Sequence, residues 1–366
     1  MEKGTAAATN KAKAKAKVVV VMGATATGKS KLAIDLALRF GGEVINSDKI
    51  QVHDGLDVVT NKVTASERRG VPHHLISGVH PDADYTVDDF RLDATRAVES
   101  VWLRGAAASR SSRGGSNRYL EALLDGDASF RQRYECCFLW VDADLAVLRR
   151  YIRRRVDAMM EQGLVDEVRG FFRPDGDYSR GISRAIGVPE MDAYFRLLEA
   201  LNNNNNNNNN NKNNDNKLRL RVLLAVAAAK IKANTCALAC RQLRKIHRLQ
   251  TLPGCGWTLR RLDVTAVLAI KVGDVIGNDH AERAAWEADV AWPATRAVAA
   301  FLDGNNNDTR AHDRCDDDKD GFVVMQPAVT TTAAAADCCG LQLEKAVVAR
   351  GRGGFVAIMG PPAAVV

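Results

Sequence analysis

The sequence lacks the features that define membrane-spanning and disulfide-stapled proteins. No stretch approaches the roughly 18 consecutive apolar residues of a spanning helix, so no membrane association is expected. The eight cysteines include two adjacent pairs but no C-x-x-C spacing, and no apolar signal segment is present. These absences argue against a disulfide framework and against a zinc module. The sequence therefore predicts an intracellular protein, placed in the cytoplasm.

Excess charge is nearly absent outside the first 17 residues. The 366 residues carry 51 basic and 44 acidic side chains, a net charge of +7. Five lysines against Glu2 give segment 1–17 a net charge of +4, which leaves +3 for the rest of the chain. A nucleic-acid partner normally requires a basic surface, so the near-neutral body disfavours one. We interpret 1–17 as a solvated basic tail; a plastid or mitochondrial transit peptide is the alternative.

Apolar runs and turn residues predict an α/β fold over residues 18–302. The run Val18–Met22 predicts a buried strand, a loop follows, and a helical pattern covers residues 29–40. A second short strand is predicted over residues 43–46. Strand, loop, helix and strand in this order are typical of a parallel sheet with helices on its faces. Further strands are predicted at 137–141 and 259–263, and further helices at 86–103, 144–160, 218–249 and 281–302.

Two segments have compositions typical of disorder. Residues 202–217 are an asparagine-rich insert between two helices, with nothing apolar to bury. Residues 303–366 form a low-complexity tail rich in Asn, Asp, Ala and Gly. We expect the insert to be disordered, the tail to be mostly unstructured and the domain to consist of residues 18–302.

Residues 23–30 fit the phosphate-binding pattern G-x-x-x-x-G-K-[ST]. An apolar run directly precedes them and an amphipathic helix follows, which is the context that a phosphate loop requires. Glycines let successive N–H groups face phosphate oxygens, and the helix adds its positive dipole end. Lys29 supplies a mobile charge and the Ser30 hydroxyl can bind Mg²⁺. The predicted phosphate-binding residues are Gly23, Ala24, Thr25, Ala26, Thr27, Gly28, Lys29 and Ser30.

Asp48 follows the second predicted strand, at the edge where parallel sheets place their ligands. A carboxylate at this position can hold a magnesium-bound water or accept a proton from a substrate. The alternative is an ordinary aspartate of a turn.

Several segments together resemble one enzyme family. These are the phosphate loop, the stretch Val44–Lys62, the Gly-Val-Pro-His-His of residues 70–74 and the Gly-Gly-Ser-Asn of residues 114–117. With further matches up to about residue 302, the chain resembles the isopentenyltransferases, which comprise plant adenylate dimethylallyltransferases and enzymes that modify transfer RNA. The resemblance implies a P-loop NTPase-like parallel sheet flanked by helices, with a helical lobe.

The resemblance also implies a reaction and its participants. The phosphate loop would hold dimethylallyl diphosphate with Mg²⁺, and Asp48 would deprotonate the N6 amine of ATP, ADP or AMP, in the first step of cytokinin synthesis. Transfer RNA is the runner-up acceptor. A small-molecule kinase that uses the same loop is a second hypothesis, and an inactive homologue that binds a diphosphate without turnover is a third.

Arg155 lies on the apolar face of the helix predicted at 144–160. It follows Leu148 by seven residues and shares a face with Ile152. An arginine on a buried face needs an anionic partner. The family resemblance makes that partner the diphosphate and makes Arg155 catalytic with Lys29 and Asp48, whereas a structural salt bridge is the alternative.

Three further residues are candidates for contacts to the acceptor: Thr60, Ser116 and Asn117. Hydrogen bonds to the local backbone are an equally good explanation for them. One departure from the family precedes residue 114, where relatives carry an apolar strand and this chain carries arginines and serines over 105–113. A buried strand cannot have this composition, so the sequence predicts a sheet without its central strand or an error in the encoded segment.

Overall fold

The valine run after the basic segment forms part of a parallel sheet. The computed structural model describes residues 16–105, 133–203, 210–251, 259–304 and 323–327. The strands are β1 (Ala16–Gly23), β2 (Glu43–Ser47), β3 (His73–His74), β4 (Tyr134–Asp142), β5 (Leu259–Asp263) and β6 (Val323–Pro327). Their order in the sheet is β3-β2-β6-β1-β4-β5, and all neighbours are parallel. The predicted α/β class is confirmed.

Helices cover both faces of this sheet. They are α1 (Lys29–Phe40), α2 (Ala65–Arg68), α3 (Val87–Gly105), α4 (Leu145–Glu161), α5 (Leu164–Phe171), α6 (Val188–Asn203), α7 (Asn210–Thr251), α8 (Thr265–Val272), α9 (Asp279–Trp286) and α10 (Trp292–Leu302). A 3-10 turn spans Gly181–Arg184 and a π-helical turn, Glu287–Ala291, joins α9 to α10. Alternate β1 residues face opposite layers: Val19 and Val21 pack with α1, whereas Val18 and Val20 pack with α3. This alternation is the period of two expected of a strand buried on both faces.

A helical lobe packs beside the sheet and has its own core. Val168 of α5, Met191 and Phe195 of α6, and Ile231 of α7 are buried in this core together with Leu56 from the loop after β2. The lobe therefore contacts the segment that follows the predicted catalytic aspartate.

Helix α7 contains a stretch, Asn214–Arg248, that is long and apolar enough to span a membrane by length and composition. Several of its residues are buried in the protein, including Ala227, Ile231 and Ala239. A long core helix passes the same test of length and composition, so the stretch gives only weak support to a membrane association.

Strand β6 differs from the sequence expectation for residues 303–366. The tail supplies Val323–Pro327, which pairs with β1 on one side and with β2 on the other. Its residues 305–322 and 328–366 lie outside the described part of the chain. Val324 is in register with Val19 and Val44. The sequence does not mark this strand because the apolar run is short and lies in a polar context, while its pairing partners are about 280 to 300 residues away along the chain. The sheet thus has a central strand, supplied by the C-terminal region; residues 106–113 lie outside the described part.

Two boundaries also differ from the predictions. Helix α7 begins at Asn210, so the last residues of the insert predicted over 202–217 are helical rather than disordered. Asparagine is only a moderately poor helix former, and the apolar helix that follows allows the added turns to propagate. Strand β1 begins at Ala16, which places Lys17 in the sheet, where its ammonium group contacts the carbonyl oxygen of Leu302.

Candidate active site

The phosphate loop joins β1 to α1 through two glycines that approach other parts of the chain closely. A Cβ atom on Gly23 would lie 2.4 Å from the carbonyl oxygen of Val141, and one on Gly28 would lie 2.9 Å from the Trp286 ring. Gly28 also has a left-handed φ of 87° at the N-terminus of α1. Ala26 adopts a left-handed φ of 70° despite its side chain, a strained conformation typical of functional loops. The sequence thus forms the predicted loop, with little room for other residues at its two ends.

The loop is braced by internal hydrogen bonds. The carbonyl oxygen of Ala24 accepts from the Thr27 hydroxyl at 2.9 Å and from the Lys29 ammonium at 2.7 Å. Burial and the nearby Arg155 cation lower the pKa of Lys29 to about 8, although the Asp48 carboxylate opposes the shift. The Lys29 ammonium is therefore held in the cavity with few compensating charges, a setting that favours an anionic ligand.

Asp48 lies directly after β2, and the first turn of the following loop orients its carboxylate. Oδ1 accepts hydrogen bonds from the backbone N–H of Ile50 at 2.9 Å and of Gln51 at 3.4 Å. Burial raises the pKa of Asp48 to about 6, whereas these hydrogen bonds and the Lys29 charge favour ionisation. A carboxylate with a pKa nearer to neutrality is a better proton acceptor than an ordinary aspartate.

Arg155 reaches the phosphate loop from helix α4. Its Nη2 donates a hydrogen bond to the Thr25 hydroxyl at 3.1 Å, and its Nε is buried without a hydrogen-bond partner. Among the described residues no carboxylate pairs with Arg155, which disfavours the structural salt bridge. Burial lowers the pKa of Arg155. A buried guanidinium with an unsatisfied donor indicates a site for an anion.

One cavity of about 910 Å³ brings these residues together. Of the predicted residues, its walls include Thr25, Ala26, Gly28, Lys29, Ser30, Asp48, Thr60 and Arg155. Gly23, Ala24 and Thr27 are in the loop but do not line the cavity. Ser116 and Asn117 lie outside the described residues. The grouping is as predicted, and the roles of these residues remain predictions.

Thr60 lines the cavity, and its hydroxyl also bonds to the local backbone. Its hydroxyl donates to the carbonyl oxygen of Leu56 at 2.7 Å, as the alternative explanation requires. The hydroxyl oxygen retains acceptor capacity toward a ligand. Both interpretations of Thr60 are therefore compatible with the geometry.

The cavity fits a magnesium ion that is shared with a substrate. Ser30, the predicted Mg²⁺ ligand, lines the cavity. No group of three or more His, Cys, Asp and Glu side chains in the described ranges could hold a metal ion. Mg²⁺ is usually bound by one or two protein oxygens together with substrate phosphates and waters. The residues therefore suit a magnesium–diphosphate complex better than a metal held by protein alone.

Three residues at or beside the cavity were missed by the sequence analysis. Gln242 of α7 accepts a hydrogen bond from the Thr25 N–H at 2.7 Å. Glu167 of α5 accepts from the backbone N–H of Val58 and Val59. Arg154 lines the cavity, although its neighbour Arg155 alone was predicted to do so. These contacts depend on tertiary structure, and no local pattern in the sequence marks them.

The geometry defines a P-loop protein in which Lys29, Arg155 and Asp48 line one cavity. A family model described as IPP transferase matches residues 51–133 and 127–248, and one described as isopentenyl transferase matches residues 16–77. Adenylate isopentenyltransferase 5, chloroplastic, of Arabidopsis thaliana is 49% identical over 277 residues, which are 75% of this chain and 77% of that protein. The chain therefore belongs to the isopentenyltransferase family and is a prenyltransferase.

Two further relatives extend the comparison. Adenylate isopentenyltransferase 7, mitochondrial, of Arabidopsis thaliana is 43% identical over 283 residues, which are 76% of this chain and 78% of that protein. A solved eukaryotic dimethylallyltransferase acting on tRNA is similar with a TM-score of 0.57 and 21% identity, covering 81% of this chain and 82% of that one. The solved structure supports the P-loop fold. The names of the two plant relatives point to organelles, so the predicted cytoplasmic location is not confirmed.

Proposed function

We propose that this enzyme transfers the dimethylallyl group of dimethylallyl diphosphate to the N6 atom of AMP, ADP or ATP, the first step of cytokinin biosynthesis. The observation that carries the proposal is the convergence of Lys29, Arg155 and Asp48 on one cavity. The similarity to proteins named adenylate isopentenyltransferases supports an adenine nucleotide as acceptor.

The cationic side of the cavity suits a diphosphate leaving group. Negative charge grows on the diphosphate as its bond to the allylic carbon breaks, and fixed donors are most effective where charge develops. The ammonium of Lys29, the guanidinium of Arg155 and the N–H groups at the start of α1 are such donors. A Mg²⁺ ion held by Ser30 and the diphosphate would neutralise further charge when bound.

The Asp48 side of the cavity suits the acceptor. In the proposed step, the N6 amine attacks C1 of the dimethylallyl group and the C1–O bond breaks. The diphosphate leaves with the bonding electrons and the N6 proton passes to the Asp48 carboxylate. The hydrogen bonds from Ile50 and Gln51 hold that carboxylate in place for this transfer, and general bases of this kind typically contribute about 10²–10⁴-fold.

The experiment is incubation of the purified full chain with labelled dimethylallyl diphosphate and, separately, AMP, ADP, ATP or unmodified transfer RNA. We expect isopentenyl-adenine nucleotide with at least one of the free nucleotides. Prenylation of transfer RNA alone would replace the acceptor in the proposal. Phosphoryl transfer without prenylation would instead favour a kinase, and no turnover at all would favour an inactive homologue.

The cellular location is tested separately. The relatives named chloroplastic and mitochondrial support a plastid or a mitochondrion for this chain. A fusion of the full chain to a fluorescent protein, compared with a fusion that lacks residues 1–15, distinguishes organellar import from a cytoplasmic location.

A further inference from the structure

The wall of the cavity beside Asp48 contains a hydrogen-bonded turn, residues 56–62. Its backbone bonds run from Thr60 N–H to Leu56 at 2.9 Å and from Lys62 N–H to Asp57 at 2.9 Å. Residues Asp57 to Lys62 line the cavity. The N–H groups of Val58 and Val59 at its start have no backbone partner within it, as at the start of a helix. An isolated turn of this length is not stable without external contacts.

Glu167 of helix α5 supplies the missing partners. Oε1 accepts from the Val58 N–H at 3.0 Å and Oε2 accepts from the Val59 N–H at 2.8 Å. Hydrogen bonds to an ionised acceptor are about twice as strong as those between neutral groups. The negative charge also lies at the positive end of the turn. One side chain of the helical lobe therefore caps the start of the turn with both of its oxygens.

Apolar contacts from the same helix reinforce this cap. Leu164 and Val168 of α5 are buried in one cluster with Leu56 and Val59 of the turn. Just before the turn, a Cβ atom on Gly55 would lie 2.3 Å from the Phe171 ring. The turn is thus docked on α5 through its apolar residues, while its residues 57–62 line the cavity.

A second side chain links the end of the turn to Asp48. Gln51 Nε2 donates to the carbonyl oxygens of Thr60 at 2.9 Å and of Asn61 at 3.1 Å. The backbone N–H of Gln51 donates to Asp48 Oδ1 at 3.4 Å. A displacement of the turn would therefore change the part of the cavity wall beside Asp48, the proposed acceptor of the N6 proton.

We propose that Glu167 is a positioning residue for the acceptor, which fixes the 56–62 turn as the wall against which the adenine nucleotide binds. The proposal rests on the proposed function in that the ligand is taken to be an adenine nucleotide. Glu167 acts through the turn and does not line the cavity. Its loss should weaken binding of the acceptor and leave binding of the diphosphate unchanged.

The test compares Glu167→Ala and Glu167→Gln with the control Asp166→Ala, which removes the same charge from an exposed neighbour in the first turn of α5. For Glu167→Ala we expect the KM for the nucleotide to rise roughly tenfold, since two charge-assisted hydrogen bonds are lost. The KM for dimethylallyl diphosphate should change less than about twofold, because the lost hydrogen bonds lie in the turn and sites that share no partner behave independently. Glu167→Gln, which retains one carbonyl oxygen, should lie between wild type and Glu167→Ala, and Asp166→Ala should match wild type.

Two measurements that need no turnover test the role of Glu167 independently of the proposed function. Hydrogen–deuterium exchange should show faster exchange in residues 56–62 of Glu167→Ala, with no change in the phosphate loop. Calorimetric titration should show weaker AMP binding and unchanged pyrophosphate binding. Equal losses of both ligands, or an unchanged affinity for AMP, would overturn the role of Glu167. If wild type binds AMP but prenylates no adenine nucleotide, the proposed function fails while the role of Glu167 is still decided by these two measurements.

Discussion

Arg155 and Thr25 are joined by a hydrogen bond of 3.1 Å from Nη2 to the threonine hydroxyl, although 130 residues separate them in the chain. The bond fixes the guanidinium against the phosphate loop, while its buried Nε has no hydrogen-bond partner. Two elements that fold from distant parts of the sequence thus present their donors to the same part of the cavity. The relationship makes Arg155 the first residue to alter.

Replacement of Arg155 by lysine should lower kcat/KM for dimethylallyl diphosphate by about 10²-fold, the loss typical when one preorganised donor to a developing anion is removed. Lysine keeps the charge but loses the planar, bidentate geometry. Steady-state kinetics with varied dimethylallyl diphosphate measure the effect. Arg153→Lys, on the exposed face of the same helix, is the control and should behave as wild type. A similar loss in both variants would show that the helix rather than the guanidinium is responsible.

Asp48→Asn should lower kcat by about 10²–10⁴-fold, since a carboxamide cannot accept the N6 proton. It preserves the size of the side chain and an oxygen that can accept from the Ile50 N–H. Pyrophosphate affinity, measured by calorimetry, should be unchanged or slightly higher because a negative charge near Lys29 is removed. A kcat within about tenfold of wild type would exclude Asp48 as the general base.

The pH dependence of kcat/KM should be bell-shaped, with its maximum between the two shifted groups. Asp48 must be ionised to accept a proton, and burial raises its pKa to about 6, so activity should fall below that pH. Lys29 must be protonated to stabilise the diphosphate, and burial lowers its pKa to about 8, so activity should fall above that pH. Rate profiles from about pH 5 to about pH 9.5 measure both limbs. If activity instead fell with an apparent pKa near 4, the ordinary range of aspartate, the assignment of the acid limb to a buried Asp48 would be contradicted.

Val324→Pro should destabilise the whole domain, by roughly 3 kcal/mol or more, because proline removes a backbone donor and restricts φ in a strand with partners on both sides. Urea unfolding measures the free energy of unfolding. Val324→Ile keeps the N–H group and the β-branched side chain and is the control. If Val324→Pro unfolds at the same urea concentration as wild type, β6 is not required for the sheet.

The phosphate loop and the edge of β2 were predictable because local sequence determines them. The pattern from Gly23 to Ser30 needs only a preceding strand and a following helix, and both are visible as periodicities. The buried face that contains Arg155 could likewise be found from helical spacing. These features supply Lys29, Arg155 and Asp48, which line the same cavity.

The central strand and the bracing residues were not predictable because their partners are distant. Val323–Pro327 is a short apolar run in a polar segment. It is recognised as a strand only in the folded sheet, where it lies between β1 and β2. Glu167 and Gln242 have ordinary helical surroundings, and their roles follow from the backbone groups that they meet after folding. Side chains that act on distant backbone atoms leave no periodic signal.

The position of β6 also determines when the sheet can be completed during synthesis of the chain. Strands β1 and β2, which precede the phosphate loop and Asp48, are made within the first 47 residues, yet the strand between them ends at residue 327. A chain still emerging from the ribosome therefore cannot close the centre of its sheet, and such non-local pairing is intrinsically slow. Catalytic competence should arise only after residue 327 has been made, so a chain that stops before β6 would expose an open sheet edge and become a substrate for quality control instead of a partial enzyme.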